Sequence, residues 1–357
     1  MEQRELAAQK EQLDSALRRF GIEADDAFYL LAYHYAVCRG DALGGPPERV
    51  VRRGGRARAV VQEHGWVLDM LDSVVALDPS AERLPEWYQH FIGRRFRKGS
   101  GKFFTPRPLA AAMAALVPVK QGALVMDPTC GGGTFLVEAS RAWGEERCTL
   151  VGNDVDESLV DLARMVLHLS APEHHRREFL VCNVYHPGAA LEQLYGAVDC
   201  ILANPPFSLK IQGEGLQSDL LSLGYTTSDA LFLDVCLRLL RPGGRLVCLL
   251  PHSIVSNKEF AALRGVAESW WDLLGVISLP EGVFFLSAES STRADIVVLT
   301  KRGRGVRRPR EAVFAYAPSV GVSLNSAGSS TVDNQLAEVV RDRRVRRALG
   351  LEREAPG

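Results

Sequence analysis

The chain has 357 residues, of which 46% are hydrophobic, and a formal net charge of −1. This length allows one large domain plus a smaller one, and no apolar run reaches the roughly 18 residues needed to cross a bilayer. The balanced charge does not by itself mark a nucleic-acid binder, although basic residues cluster at 52–58, 94–98, 302–310 and 341–347.

The first 95 residues have the periodicity of helices. Apolar side chains recur at three- and four-residue intervals, as at Leu13, Leu17 and Phe20. The N-terminus is polar and lacks the pattern of a signal peptide, and the seven scattered cysteines form no CxxC pair. We therefore expect a helical N-terminal domain over residues 1–95, in a cytoplasmic protein with free thiols and no membrane contact.

From Gly122 onward, apolar strands alternate with helical segments. Near-continuous apolar strands separated by helices indicate an α/β fold with a mostly parallel, Rossmann-like sheet of seven strands. The strands are expected at 123–127, 149–154, 178–183, 197–204, 244–251, 273–280 and 294–302, with helices at 133–143, 156–169 and 228–240. The segment Pro242-Gly243-Gly244 is predicted to stop the third helix. The predicted catalytic domain spans 96–302, and a short C-terminal tail, 303–357, contains a basic helix near 332–349.

A glycine-rich loop follows the first strand and runs from Asp127 to Phe135. Its spacing is not GxGxxG, which disfavours a dinucleotide site, but glycines still let the backbone approach a ligand closely. The second strand ends at Asp154, whose carboxylate can accept both hydroxyls of a ribose, with Asp156 as the alternative. Taken alone, the glycine-rich loop could be a purely structural turn, and the acid at the strand end could be a surface charge. Their order along the chain favours an adenosine-containing cofactor.

The fourth strand ends in Asn204-Pro205-Pro206-Phe207. The prolines fix the backbone and lack N–H donors, so the carbonyl of Pro205 and the side-chain oxygen of Asn204 can accept from one planar amine. Accepting both protons favours a tetrahedral nitrogen whose lone pair attacks a methyl sulfonium in line, which requires positioning rather than an activated nucleophile. Phe207 offers an aromatic face for a base. A plain turn after a strand is the alternative.

At these residues the chain resembles the gamma class of amino-methyltransferases, and more closely the modification subunits of type I restriction-modification systems. The resemblance runs from about Gly99 to Arg302. It includes the Phe-Phe-Thr-Pro segment at 103–106, the glycine loop, Asp154 and the tetrapeptide, and continues at 162–165, 228–232, 239–244, 279–285 and 294–301. It implies a class I S-adenosylmethionine-dependent methyltransferase that methylates N6 of an adenine flipped out of the DNA duplex.

The resemblance implies roles for individual residues. The catalytic residues are Asn204, Pro205, Pro206 and Phe207. The residues expected to bind S-adenosylmethionine are Phe103, Phe104, Thr105, Pro106, Asp127, Pro128, Thr129, Cys130, Gly131, Gly133, Thr134, Phe135, Asp154, Asn183 and Asn204. The family usually has an acid at the position of Asn183, whose amide oxygen can still accept from the adenine amine of the cofactor. No metal is expected.

The sequence contains no evident domain for recognising a DNA target. The family takes this recognition from a separate specificity subunit, so the resemblance implies double-stranded DNA and such a subunit as partners, with a restriction subunit as a possible third. The loop Ser208–Thr227 is either a DNA or partner contact or a flexible connector, and the sequence favours neither.

Two other functions remain. The first is a methyltransferase for another planar amine, in an RNA base or a protein glutamine, because such enzymes share the Asn-Pro-Pro-aromatic signature. The Phe-Phe-Thr-Pro segment, the stretch at 279–285 and Phe207 favour DNA adenine over this reading. The second is a non-catalytic scaffold that binds S-adenosylmethionine, and the intact tetrapeptide argues against it.

Overall fold

The computed structural model describes residues 2–40, 46–96, 104–212, 216, 218–283, 293–306, 308–309, 311–322 and 333–352. Phe103, the rest of segment 97–103 and the phenylalanines at 284–285 lie outside the described residues. The chain divides into two compact units. The first comprises Met1–Ser100 and Glu157–Glu173, and the second comprises Gly101–Asp156 and His174–Gly357.

The helices are numbered in chain order. They are α1 (Glu2–Arg19), α2 (Ala24–Arg39), α3 (Glu48–Val61), α4 (Gly65–Leu77), α5 (Leu84–Phe96), α6 (Arg107–Ala114), α7 (Thr134–Trp143), α8 (Glu157–Ser170), α9 (Ala189–Glu192), α10 (Asp219–Ser222), α11 (Ser228–Leu239), α12 (His252–Ser256), α13 (Ala261–Trp270), α14 (Gln335–Arg341) and α15 (Arg343–Ala348). Within the described residues, none of these helices combines the length and apolarity that a bilayer crossing requires.

The first unit is helical and includes α8, although α8 follows the second strand in the chain. Phe28 of α2 packs edge-on against Tyr88 of α5, with ring centroids 5.0 Å apart. The Tyr29 hydroxyl donates to Asp161 of α8 at 3.1 Å, and Arg49 of α3 lies 3.6 Å from the same carboxylate. The unit therefore contains a helix beyond the predicted segment 1–95, and the domain boundaries stay a prediction.

The second unit is built on one sheet. Its strands are β1 (Ala123–Asp127), β2 (Cys148–Asp154), β3 (Arg176–Val181), β4 (Val198–Ala203), β5 (Leu240–Pro251), β6 (Trp271–Ser278), β7 (Ala294–Lys301) and β8 (Val313–Tyr316). The order across the sheet is β3-β2-β1-β4-β5-β7-β6-β8, and β7 is antiparallel to both of its neighbours while the other pairs are parallel. The prediction of a mostly parallel α/β sheet is confirmed.

The number of strands was predicted wrongly, because the sheet has eight strands rather than seven. The additional strand, β8, lies in the segment that was assigned to the tail and pairs in parallel with β6. It has only 4 residues, and Phe314 and Tyr316 are 71% and 56% exposed. Its apolar run, 312–317, is continuous but short, and it lies in the segment 303–357 that was assigned to the tail.

The Pro242-Gly243-Gly244 segment follows the end of the predicted helix, as expected, but lies inside a strand that begins before the predicted residue 244. Helix α11 ends at Leu239, and β5 begins at once at Leu240 and passes through these residues. Gly243 has a φ of 76°, and the pairing of β5 with β4 shifts register between Val198 and Cys200. The segment therefore forms an irregularity inside β5, where glycine supplies a conformation that other residues rarely adopt.

The core of the second unit joins helix α11 to the middle of the sheet. Met126, Ile201, Phe232, Leu246 and Cys248 are all fully buried in it. From β1 the chain moves outward to β2 and β3 and then returns to β4 on the other side of β1. In open parallel sheets such a reversal creates a crevice at the carboxyl ends of the two flanking strands, where ligands bind.

Candidate cofactor and catalytic site

The loop after β1 turns sharply before α7 begins at Thr134. Gly131 and Gly133 have φ values of 48° and 81°, in the left-handed region that favours glycine. The N–H of Gly133 donates to the carbonyl of Cys130 at 2.8 Å. This turn brings the N-terminus of α7, with its free N–H groups, to the carboxyl end of β1.

Asp127 is the last residue of β1 and is completely buried. Its Oδ1 accepts a hydrogen bond from the Thr129 N–H at 3.0 Å, whereas its Oδ2 has no partner among the described residues. Burial raises the pKa of Asp127 well above its usual value, the Thr129 N–H partly offsets this, and the nearby Asp154 carboxylate raises the pKa further. A buried carboxylate oxygen without a partner fits a donor or a cation on a ligand.

Asp154, at the end of β2, connects two loops. Its Oδ2 accepts from the Gly131 N–H at 3.1 Å, and its Oδ1 accepts from the Asp156 N–H at 3.0 Å. These contacts place the Asp154 carboxylate beside the glycine loop, where the sequence predicts the acid that binds the ribose. Of the two acids considered from the sequence, Asp154 is the one with this hydrogen bond to the glycine loop.

Asn153 is a positioning residue that the sequence analysis missed. It is 1% exposed, and its Nδ2 donates to the carbonyls of Pro128 at 2.9 Å and Cys182 at 3.0 Å. Its Oδ1 accepts from the Cys182 N–H at 3.2 Å, and its own carbonyl accepts from the Cys130 N–H at 2.7 Å. Asn153 thus joins the ends of β1, β2 and β3. An amide directly before Asp154, at the end of a mainly apolar strand, was the signal that could have revealed it.

Gly152, two residues before Asp154, is required for steric reasons. A Cβ at this position would lie 2.9 Å from the ring of Phe179 on β3 and 3.0 Å from Leu136 Cδ1 on α7. Both contacts are shorter than van der Waals distance. The absence of a side chain therefore lets α7 and β3 approach β2 beside the ribose acid.

Asn183 follows β3 at the same edge of the sheet and is exposed. Its Oδ1 accepts from the Tyr185 N–H at 3.0 Å. The oxygen keeps one lone pair for a further donor, as its predicted contact with the cofactor's adenine amine requires.

Asn204 follows β4, next to the loop after β1. Its Nδ2 donates to the Thr105 Oγ1 at 3.1 Å, and its Oδ1 is buried and has no partner among the described residues. Phe207 is 8% exposed. The amide group is therefore held through its nitrogen while its oxygen is available to a ligand.

The structure thus places the described candidates in the second unit, at the carboxyl edge of its sheet or in the Phe-Thr-Pro segment that contacts Asn204. They are Phe104, Thr105, Pro106, Asp127, Pro128, Thr129, Cys130, Gly131, Gly133, Thr134, Phe135, Asp154, Asn183, Asn204, Pro205, Pro206 and Phe207. Phe103 lies outside the described residues. Their individual roles remain predictions.

The sequence of the chain matches the family model described as N-6 DNA Methylase over residues 82–335, well over half of its length. The chain belongs to this family. Membership confirms the resemblance inferred from the motifs and the predicted class of enzyme, an N6 methyltransferase.

Individual relatives include a type II methyltransferase and a tRNA methyltransferase. The type II methyltransferase M.VspI of Vibrio sp. (strain 343) is 25% identical over 229 residues, which are 62% of this chain and 54% of that protein. The tRNA (guanine(6)-N2)-methyltransferase of Thermus thermophilus is 34% identical over 158 residues, 44% of this chain and 43% of that protein. The chain spans about half the length of these curated relatives.

Solved structures establish the fold. A class I S-adenosylmethionine-dependent methyltransferase from Listeria monocytogenes superposes with a TM-score of 0.60 at 18% identity. The superposition covers 87% of this chain and 93% of the Listeria chain. The type I restriction-modification methyltransferase subunit from Streptococcus thermophilus gives a TM-score of 0.58 at 22% identity, and the match covers 86% of this chain and 65% of that subunit. The class I methyltransferase fold is confirmed, and family and fold together imply S-adenosylmethionine as the cofactor. The Asp127 oxygen that lacks a partner in the described part of the chain suits the positive charge of such a ligand.

Proposed function

We propose that the protein transfers a methyl group from S-adenosylmethionine to N6 of an adenine flipped out of double-stranded DNA. The observation that carries methyl transfer to an exocyclic amine is the Oδ1 of Asn204, which is buried and lacks a partner among the described residues, at the end of β4 beside the glycine loop of β1. An oxygen in that position can accept a proton from an exocyclic amine, and the neighbouring strand end offers the cofactor site. The match to the N-6 DNA Methylase family model supports adenine N6 in DNA as the target.

On this proposal, the cofactor supplies an electrophilic methyl group when bound. Asp127 accepts from its ammonium group, Asp154 accepts from its ribose hydroxyls, and Asn183 accepts from its adenine amine. The Phe104-Thr105-Pro106 segment covers its methionine part. The loop glycines at 131 and 133 keep side chains out of the space that the ligand needs.

The tetrapeptide acts on the target amine. The Asn204 Oδ1 and the Pro205 carbonyl each accept one N–H, which draws the nitrogen toward a tetrahedral geometry with its lone pair free for in-line attack. Thr105 holds the Asn204 amide at 3.1 Å, so that its oxygen faces the amine. Phe207 stacks on the base. Preorganised acceptors of this kind stabilise charge that develops in the transition state.

The proposal includes partners. Relatives named as methylase subunits of type I restriction enzymes, such as the EcoKI methylase subunit of Escherichia coli at 24% identity over 223 residues, support a separate specificity subunit that selects the DNA site. A restriction subunit is a further partner that the same relatives suggest. The cytoplasmic location expected from the sequence stays a prediction.

Transfer to the guanine N2 of an RNA is the second candidate. The Thermus thermophilus relative supports it, because it is 34% identical over its matched region and its printed name states this reaction. The two candidates share the chemistry of an exocyclic amine and differ in the nucleic acid. The Asn204 acceptor alone does not distinguish them.

Nucleoside mass spectrometry separates these candidates. DNA, RNA and protein are isolated from cells with the intact gene, a deletion and Asn204→Ala, and then hydrolysed. We expect N6-methyldeoxyadenosine only with the intact gene. If the deletion and Asn204→Ala strains instead lose N2-methylguanosine or methylglutamine, the substrate is RNA or protein rather than DNA. No change in any of them, with S-adenosylhomocysteine still bound by the purified protein, would indicate the scaffold.

A further inference from the structure

Two buried polar residues begin helix α11 and have no part in the chemistry described above. Ser228 is completely buried, and Asp229 is 3% exposed. Buried polar groups are costly unless they are hydrogen-bonded, so their partners indicate what they do. Their side chains contact the backbone on the C-terminal side of the catalytic tetrapeptide.

Ser228 closes the turn that contains Phe207. Its Oγ donates to the carbonyl of Pro206 at 2.5 Å and accepts from the N–H of Leu209 at 3.2 Å. Its own N–H donates to the Leu209 carbonyl at 2.8 Å. One side chain thus ties together the two ends of the Pro206–Leu209 turn.

Asp229 stabilises the strained position in the same turn. Its Oδ2 accepts from the Ser208 N–H at 3.2 Å, and its Oδ1 accepts from the Ala230 N–H at 3.0 Å. Ser208 has a φ of 56°, in the left-handed region, which costs about 1 kcal/mol for a residue with a side chain. The carboxylate therefore helps to hold a conformation that the isolated chain would avoid.

A third contact joins this pair to the loop that follows β3. The Tyr185 hydroxyl donates to the Ser228 carbonyl at 2.9 Å, and the Tyr185 N–H donates to Asn183 Oδ1 at 3.0 Å. Tyr185 is 5% exposed, and burial raises the pKa of its hydroxyl, which remains a neutral donor. The catalytic turn is thereby connected to Asn183, the candidate for the cofactor's adenine.

We propose that Ser228 and Asp229 are positioning residues for methyl transfer, and this inference rests on the proposed function. By fixing the backbone from Pro206 to Leu209, they keep the stacking ring of Phe207 and the acceptors that precede it in place before a flipped base arrives. The order of the turn is then already present in the protein without substrate, which favours reaction over rearrangement.

The test compares Ser228→Ala and Asp229→Ala with wild type. Asp229→Asn is the conservative variant, because its amide oxygen can still accept from the Ser208 N–H. Asp234→Asn is the matched control: Asp234 lies on the same helix, is 8% exposed, and pairs with Arg238 at 3.1 Å rather than with the turn. Hydrogen exchange of the Ser208 and Leu209 amides, S-adenosylhomocysteine binding and methyl-transfer kinetics are measured for each variant in the full chain.

We expect the two alanine variants to exchange these amides at least ~10-fold faster, and kcat to fall about 10- to 100-fold, while cofactor affinity changes less than about threefold. Asp229→Asn should retain more activity than Asp229→Ala, and Asp234→Asn should behave as wild type. Unchanged exchange in the alanine variants, or an equal loss of kcat in Asp234→Asn, would overturn the proposal. If wild type transfers no methyl group to DNA, the proposed function fails, and the exchange measurement still decides whether Ser228 and Asp229 order the turn.

Discussion

The side-chain amide of Asn204 donates a hydrogen bond to the hydroxyl of Thr105 at 3.1 Å, although 99 positions separate the two residues in the sequence. Thr105 belongs to the segment before α6, and Asn204 to the tetrapeptide after β4. The contact uses the donor end of the amide and leaves the acceptor end without a partner among the described residues. It therefore determines which atom of the Asn204 amide is left available to a ligand.

Replacing Thr105 with valine tests this contact. Valine keeps the shape and removes the hydroxyl, so the Asn204 amide loses its anchor and can rotate. A neutral hydrogen bond contributes about 0.5–1.5 kcal/mol, which corresponds to a fall in kcat of roughly 2- to 13-fold. Thr105→Ser keeps the hydroxyl that accepts from the Asn204 amide, so its kcat should stay close to that of wild type. Equal kcat values for Thr105→Val and Thr105→Ser would show that the hydroxyl does not orient Asn204.

Replacing Asp127 with asparagine should separate stability from cofactor binding. The buried carboxylate has an unpartnered oxygen and a raised pKa, so it destabilises the folded protein at neutral pH. We expect Asp127→Asn to unfold at an equal or higher temperature than wild type at pH 7. The same variant should bind S-adenosylmethionine at least ~10-fold more weakly, because a charged partner for its ammonium group is lost. Calorimetry measures both quantities.

The difference in stability between Asp127→Asn and wild type should depend on pH in a defined direction. The pKa of Asp127 is raised in the folded state, so wild type keeps the proton that the unfolded chain releases above about pH 4. The contribution of Asp127 to the free energy of unfolding of wild type is fully present below about pH 4 and is lost as the pH rises through the raised pKa. The advantage of Asp127→Asn should therefore shrink toward pH 4. An advantage that grows on acidification would contradict the assignment.

Gly152→Ala should destabilise the second unit. The new methyl group would lie 2.9 Å from the Phe179 ring and 3.0 Å from Leu136, and overpacking of this kind costs about 1–3 kcal/mol. Gly265→Ala is the matched control, because nothing lies within 4 Å of its Cβ position and alanine favours the helix there. Chemical denaturation gives both free energies of unfolding. A Gly152→Ala protein as stable as Gly265→Ala would mean that α7 and β3 can move apart at no cost.

The sequence was sufficient for the elements whose pattern is local. Buried parallel strands are continuous apolar runs, and the candidate site residues Asp127, Asp154 and Asn204 lie where those runs end, so pattern and motif were enough to find their positions. Edge strand β8 was missed because its apolar run is short and lies in the segment 303–357 that was assigned to the tail.

Other features depend on contacts distant in sequence. The partners of Asn153 and Ser228 lie in segments distant in sequence, so no local pattern specifies these hydrogen bonds. The membership of α8 in the first unit follows from partners such as Tyr29, 132 positions away from Asp161. Periodicity predicted that the helix forms but could not predict against what it packs.

Modification-sensitive long-read sequencing of host DNA tests the central claim most directly. Genomes are compared from cells with the intact gene, a deletion and Asn204→Ala expressed at the same level, so that any specificity subunit in the cell is present throughout. We predict N6-methyladenine at a defined sequence motif with the intact gene, and its absence in both other strains, while purified Asn204→Ala still binds S-adenosylmethionine. A methyladenine motif that persists unchanged in the Asn204→Ala strain would contradict the assignment of Asn204 and the adenine N6 reaction built on it.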